Sequence, residues 1–385
     1  MTRKRVAIAG IGYSSIHRGN SPAVEDLTVA AAIAALADAG LRPAAVDGIF
    51  EYQYAADAPV TNWLQRTLGT GDLSAYCDVG ASGASGMAGV SAAYQALIAG
   101  ECEVALAYRS IQQGRAGTGA FETLNQVPPG SSMFHEELLS PYGAFGIIVQ
   151  IALKMQRRAA VLGGRPEDYG HIAINARRWS ALNERAVLRS PMSMDDYLGA
   201  RMLADPLRLL DCDYPVSGSC ALVLTTEERA RDLCQPLVLI DSHATATGAG
   251  DWVFGPDFLD GGTLTCAERL WRKASIGRDD INLAGLYDGF TYMTLSWIEA
   301  LGFCRAGEAG AWLEEGRTIG PGGRLPLNTS GGHLAEGRLH GLSHLAEVVL
   351  QLRGQAGSRQ VPGASAAVVT NSHGPAVAAM ILRRD

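Results

Sequence analysis

Two kinds of apolar pattern alternate along the chain. Short unbroken apolar runs bounded by turn residues read as buried strands, and longer stretches with apolar residues at helical spacing read as helices. The N-terminal segment, basic at its start and soon reaching glycines, reads as carrying a first core strand. Thr28 to Gly40 reads as an alanine-rich amphipathic helix closed by glycine. Arg42-Pro43 follows, and then a strand is expected at Val46-Asp47-Gly48-Ile49-Phe50.

The same order recurs further on. Cys266 to Ala274 reads as a helix leading through Gly277-Arg278-Asp279-Asp280-Ile281 to a strand over Ala284 to Phe290. Both copies carry an Asp-Gly in the strand segment. The small-residue loop Asp78 to Gly86 opens a helix over Met87 to Ile98, and the strand Val104 to Tyr108 follows. Its later counterpart is Asn328-Thr329-Ser330-Gly331-Gly332, a helix through Leu342 to Leu352, and the strand Ala366 to Thr370. Two similar halves predict an α/β protein with a pseudo-twofold axis.

A segment at about 111–205 interrupts the first copy. It predicts loops from Gly114 to Gly130 and helices at Ile147 to Leu162 and Pro166 to Trp179. An insert of this length on a regular scaffold is expected to cover a site. Ser219 to Thr225 reads as the last strand of the first half, so the halves are expected at 1–235 and 236–385.

Composition narrows the class. The chain has 385 residues, 47% of them hydrophobic, enough for a large buried core. A formal net charge of -7 argues against nucleic acid as a general partner. The seven cysteines are odd in number and form no CxxC pair, so neither a disulfide framework nor a zinc ribbon is indicated. The N-terminus lacks the long apolar segment of a signal peptide, and no apolar run reaches membrane-spanning length. A soluble protein of the reducing cytoplasm is expected. Gly10-Ile11-Gly12 follows a strand but lacks the third glycine and acidic partner of a dinucleotide fingerprint.

Four stretches in order carry a family resemblance: Ala99 to Ala107, Pro206 to Asp211, Leu286-Tyr287-Asp288-Gly289-Phe290-Thr291 and Leu327 to Gly332. Together they resemble the thiolase superfamily along essentially the whole chain. Tyr287 to Phe290 and Glu336-Gly337-Arg338-Leu339-His340-Gly341 look like its lipid-transfer-protein branch, which includes retro-aldolases acting on CoA esters of steroid side chains. The resemblance implies a duplicated α-β-α-β-α fold, a homodimer core, and a small OB-fold, zinc-ribbon partner completing a heterotetramer. It calls for no cofactor, the substrate being carried as a CoA thioester.

The resemblance also shows what is missing. A thiolase needs a cysteine at the N-terminus of the helix after the small-residue loop, where the thiolate is stabilised. That position falls at Gly83, and no cysteine lies between Cys77 and Cys102. The catalytic histidine of thiolases falls at Arg338, where the aldolase branch has tyrosine; His340 lies two residues on. The C-terminal loop, Asn371 to Pro375, lacks the second cysteine and offers His373 instead. Tyr287 occupies the acyl-pocket position that is also tyrosine in the aldolases.

The candidate catalytic set is therefore Tyr287, Arg338, His340 and His373. A phenol titrates near 10, so Tyr287 needs a neighbouring cation to act as a base, and Arg338 is the candidate. His333, His340 and His344 read either as site residues or as surface and capping histidines. Glu336, His340 and His344 have i, i+4, i+8 spacing, but Gly337 and Gly341 weaken a helix there and no metal site is expected. Arg157, Arg158, Arg177, Arg178 and Arg185 read as a solvated face or as partners of CoA phosphates. The expected activity is retro-aldol cleavage of a β-hydroxyacyl-CoA; thiolytic acyl transfer and a non-catalytic acyl-CoA-binding subunit are the alternatives.

Overall fold

The computed structural model describes residues 4–53, 57–80, 87–113, 140–144, 146–248, 262–374 and 376–385. Gly83 and the loop 114–130 lie outside the described residues. Among the described residues eleven strands are formed: β1 Val6–Tyr13, β2 Gly48–Gln53, β3 Ala75–Gly80, β4 Val104–Gln112, β5 Met202–Ala204, β6 Leu207–Arg208, β7 Ser217–Thr226, β8 Val238–Thr247, β9 Leu283–Gly285, β10 Ala366–Asn371 and β11 Ala376–Arg384. Nine lie side by side in the order β3-β2-β4-β7-β1-β8-β11-β10-β9.

That order is two copies of one unit. In the first, β1 and β7 are antiparallel, β7 and β4 antiparallel, β4 and β2 parallel, and β2 and β3 parallel. In the second, β8 and β11 are antiparallel, β11 and β10 antiparallel, and β10 and β9 parallel. Leu327 completes it with a parallel bridge to Ala284 in place of a fifth strand. The units meet where Ala7 pairs with Leu239.

Helices complete the layers. The helices Met87–Ala99 and Leu342–Arg353 share one apolar cluster with residues of both units, including Ile8, Leu222, Ile240 and Val369. Val24–Ala39 packs outside the first unit, through Ala31, Ala35 and Leu36. Thr263–Lys273 packs outside the second, through Cys266, Ala267 and Leu270. Gly10 and Gly12 serve that outer packing: a Cβ on either would fall on the carbonyl of Ala35 or Ala31. These glycines let a helix touch a strand rather than cradle a phosphate.

The insert joins β4 to β7, a connection that the second unit makes with a short turn between β10 and β11. Its helices Gly146–Leu162 and Pro166–Ser180 pack through Ile151, Met155, Tyr169 and Ile172 against Trp297 and Ile298, on the fully buried helix Thr291–Ala300. So the first half's insert covers the second half. Among the described residues no helix is long and apolar enough to cross a membrane.

One strand is shorter than expected. The pattern over Ala284 to Phe290 predicts strand throughout, but β9 ends at Gly285. Beyond it the Asn328 side chain takes over the ladder: Leu286 N–H donates to Asn328 Oδ1 (2.8 Å), and Asn328 Nδ2 donates to the Leu286 carbonyl (2.8 Å). The two Asp-Gly pairs are consequently not equivalent, since Asp47 precedes β2 whereas Asp288 follows β9.

Candidate active site

Beyond the end of β9, Tyr287 and Asp288 pack against His333, whose ring meets that of Tyr287 edge-on at 5.1 Å. Tyr287 N–H donates to Thr370 Oγ1 on β10 (3.0 Å), which fixes its backbone. Asp288 is fully enclosed. Its Oδ1 accepts from His333 N–H at the start of the short helix Gly332–Ala335 (3.0 Å) and lies 2.8 Å from His344 Nε2. Gly332 is what admits this carboxylate, because a Cβ there would overlap Asp288 Oδ2. Burial alone would raise the Asp288 pKa, but His344 and His333 outweigh it and hold the group below the usual carboxylate range.

The histidines are not the surface or capping residues that one reading allowed. His333 and His344 are buried, His340 is half-buried, and the rings of His333 and His344 meet edge-on at 4.3 Å. Nor do Glu336, His340 and His344 share a helix face. Helix stops at Ala335; Gly337, His340 and Gly341 take φ of 127°, 49° and 87°, all left-handed. Glu336 turns instead to Asn183 and Arg185. The group with metal-ligand proximity is a different one, Asp288, His333 and His344, with donor atoms within 4.8 Å of one another. Its chemistry fits a hydrogen-bonded cluster better. Gly341 N–H donates to His333 Nε2 (2.8 Å), so neutral His333 carries its proton on Nδ1, 3.4 Å from Asp288 Oδ1, and presents no lone pair there.

Tyr287 and Arg338 are brought together, with a carboxylate that the sequence pattern did not mark. Asp213 Oδ2 lies 3.5 Å from Arg338 Nε, and Arg338 Nη2 donates to Gln113 Oε1. Backbone bonds hold this corner: Asp213 N–H to Gly289 O (3.1 Å) and Arg338 N–H to Tyr214 O (3.0 Å). Burial, and then the Asp213 charge, push the Tyr287 phenol up; Arg338 pulls it down but does not win. Tyr287 therefore rests as a neutral phenol, not as the phenolate that Arg338 alone was expected to favour. Asp213 is raised by burial to about 6 despite Arg338, so it is ionised near neutrality and ready to accept a proton.

His340 belongs to the same site. The Arg338 charge acts on both His340 and Tyr287, and the ring of Tyr52 lies 6.0 Å from that of His340. Arg109, fully buried on β4, reaches His340 Nδ1 and the Asp57 carboxylate. A charged residue inside the apolar run Val104 to Ile111 was a visible signal for Arg109; nothing local marked Asp57 or Asp213.

His373 faces elsewhere. Its ring packs edge-on to Tyr292 at 5.5 Å. Burial and the Lys154 charge lower its pKa to about 3, so it is neutral at physiological pH. The arginines expected on a solvated face are partly engaged: Arg158 forms a buried pair with Glu299 (2.5 Å), and Arg185 reaches Glu336 and Glu347. No cysteine is ready for attack among the described residues near the site. Cys212 gives its thiol to the Arg208 carbonyl, and burial pushes both Cys212 and Cys220 up.

The duplicated layers are those of a thiolase-superfamily protein, and phenol, carboxylate, guanidinium and imidazole are gathered at its candidate site. Residues 254–383 match the thiolase C-terminal domain-like family. The chain is 32% identical to the 17-hydroxy-3-oxo-4-pregnene-20-carboxyl-CoA lyase of Mycobacterium tuberculosis, over 99% of this chain and 100% of that one. It is 32% identical to the steroid side-chain-cleaving aldolase of Thermomonospora curvata, over 98% of each. The solved Ltp2-ChsH2(DUF35) aldolase superposes with a TM-score of 0.91 at 31% identity, over 99% of this chain and 98% of that one. The chain belongs to the steroid side-chain-cleaving aldolase branch of the thiolase superfamily, a group of carbon–carbon lyases.

Proposed function

We propose that the protein cleaves the Cα–Cβ bond of a β-hydroxyacyl-CoA by retro-aldol chemistry, the acyl group being a steroid side chain or a similarly bulky alicyclic one. The observation that carries this reading is the half-buried set Tyr287, Asp213 and Arg338, a phenol beside a carboxylate that titrates at about 6. Tyr287 accepts the β-hydroxyl proton as its own proton passes to Asp213. The hydroxyl becomes the carbonyl of a released ketone or aldehyde, and the electron pair of the Cα–Cβ bond moves onto the thioester as an enolate. The proton then returns to the α-carbon, giving a short acyl-CoA. The balance needs neither redox nor metal cofactor.

The similarity to an aldolase named for Ltp2 and ChsH2(DUF35) supports assembly with a partner protein; that this partner carries an OB fold and a zinc ribbon, that the core is a homodimer and that the setting is the cytoplasm are parts of the same proposal, drawn from the family resemblance. The test incubates the complex, co-purified with that partner, with a panel of β-hydroxyacyl-CoA esters and follows products by mass spectrometry. A ketone or aldehyde plus a short acyl-CoA, without added CoA, is the expected result. Cleavage that requires free CoA, or tight binding without turnover, would overturn it.

A further inference from the structure

His340 is held in one protonation form by a device that spans both halves of the molecule. Arg109 Nε and Nη2 lie 3.3 and 3.1 Å from His340 Nδ1. A guanidinium only donates, so Nδ1 must offer its lone pair, and the single proton of a neutral imidazole sits on Nε2. Arg109 is not free to turn away. Its Nη1 and Nη2 donate to the two Asp57 oxygens (2.7 and 2.5 Å), Nη1 also reaches the Tyr52 carbonyl (3.3 Å), and its Cζ lies 5.1 Å from the centre of the Tyr52 ring.

The backbone of His340 is clamped as firmly. Its left-handed φ of 49° is held from both sides, since Asn371 Nδ2 donates to the His340 carbonyl (2.8 Å) and the following Gly341 N–H donates to His333 Nε2 (2.8 Å). Gly341 is required, because a Cβ there would overlap Asn371 Nδ2. The charged and titratable groups facing the ring are Arg109, Tyr52, Arg338 and His333, none of them an anion that would favour imidazolium. Burial and the two arginines accordingly hold His340 well below its ordinary pKa. The ring is half-buried, and Nε2 has no hydrogen-bond partner among the described residues.

We propose that Arg109 and Asp57 are positioning residues that lock His340 as the Nε2–H tautomer, so that His340 donates a hydrogen bond to the thioester oxygen rather than accepting a proton. This rests on the retro-aldol reading. As the Cα–Cβ pair moves onto the thioester, the Nε2–H meets the growing oxyanion, and no proton leaves the imidazole.

The test has two arms. In the first, the complete protein with nitrogen-15-labelled histidine is read by long-range proton–nitrogen NMR, with His340→Gln identifying the signal. His340 should show a protonated Nε2 and an unprotonated Nδ1, unchanged across about pH 5.5 to 8.5. In Arg109→Met, with Arg109→Lys as the fold-preserving second variant, the same signal should become a tautomer mixture that titrates. A protonated Nδ1 in the unaltered protein, or a tautomer indifferent to Arg109, would overturn the proposal. The second arm measures cleavage. His340→Gln keeps an amide N–H near the Nε2 position and should retain about a tenth of the rate, against a loss of about 10²–10³-fold in His340→Ala. Equal loss in both would overturn the donor role. Absence of cleavage by the unaltered complex would strike the retro-aldol reading, while the NMR signals would still decide the tautomer.

Discussion

The two halves of the chain share a scaffold and use it differently. Asp47 and Asn282 occupy the same place in each: Asp47 accepts from Glu103 and Val104 N–H at the head of β4, and Asn282 Oδ1 accepts from Ser365 and Ala366 N–H at the head of β10. Counting along the paired strands from there, Glu51 corresponds to Leu286, Tyr52 to Tyr287, and Arg109 to Asn371. The scaffold position is kept while the site positions diverge. In the first half Arg109 on β4 and Asp57 beyond β2 supply a buried cation and its counter-ion; in the second Tyr287 beyond β9 and Asn371 at the end of β10 supply the phenol and the backbone clamp. Both members of the Arg109 and Asn371 pair grip His340, one by its ring and the other by its carbonyl. A symmetric frame has thus been made asymmetric at the candidate site.

The largest effect expected from breaking this comparison is at the tyrosines. Tyr287→Phe should lower kcat for cleavage by about 10²–10³-fold, whereas Tyr52→Phe should cost less than about fivefold. Comparable losses at both would mean that the halves share the proton-transfer role. Next comes Asp213. Its carboxyl is raised to about 6, so it becomes a base only as pH rises through that value, and the kcat profile should show an acidic limb near 6. Asp213→Asn should lower kcat by about 10²-fold and abolish the limb; a limb that persists would assign it to another group.

A smaller effect, on stability, is expected at Glu51, whose counterpart Leu286 is apolar. Glu51 is fully buried, neither of its side-chain oxygens has a hydrogen-bond partner among the described residues, and burial pushes its pKa up to about 8 against the pull of Arg109. The folded state then binds more protons than the unfolded one between the ordinary value and about 8. Stability from this group is therefore lost as pH rises across that window. Glu51→Gln should gain on the order of 2–4 kcal/mol at pH 8 and much less at pH 5, by urea unfolding. A gain independent of pH would refute the raised pKa. The smallest effect concerns the shared frame. Asp47→Ala and Asn282→Ala should each cost about 1–2 kcal/mol, and a severalfold inequality would show that the two positions are not equivalent.

Much of the frame was legible because it is written in short-range patterns. The helix expected at Pro166 to Trp179 forms as Pro166–Ser180, and the duplicated helix-then-strand order is present in both halves. Parts of the site were not, for identifiable reasons. The strand expected through Phe290 stops at Gly285 because a side chain 42 residues away, Asn328, replaces the backbone ladder. Tyr287 looked like a base-in-waiting because Arg338 could be placed beside it, but the opposing charge of Asp213 and the depth of burial are properties of the assembled pocket. The histidines read either as site or as surface residues, because their burial depends on long-range close packing that Gly332 and Gly341 allow by admitting Asp288 and Asn371.

The Arg109–Asp57 pair also bears on how the chain reaches this state. Its two members are 52 residues apart, while Arg109 and His340 are 231 apart. As the chain emerges during synthesis, the first half can neutralise its own interior cation before any of the second half exists. The guanidinium then waits, already aimed, for an imidazole that arrives near the C-terminus. An arginine that depended on His340 for its only partner would leave a half-made protein with a lone charge in its core; this one completes the site last without endangering what was built first.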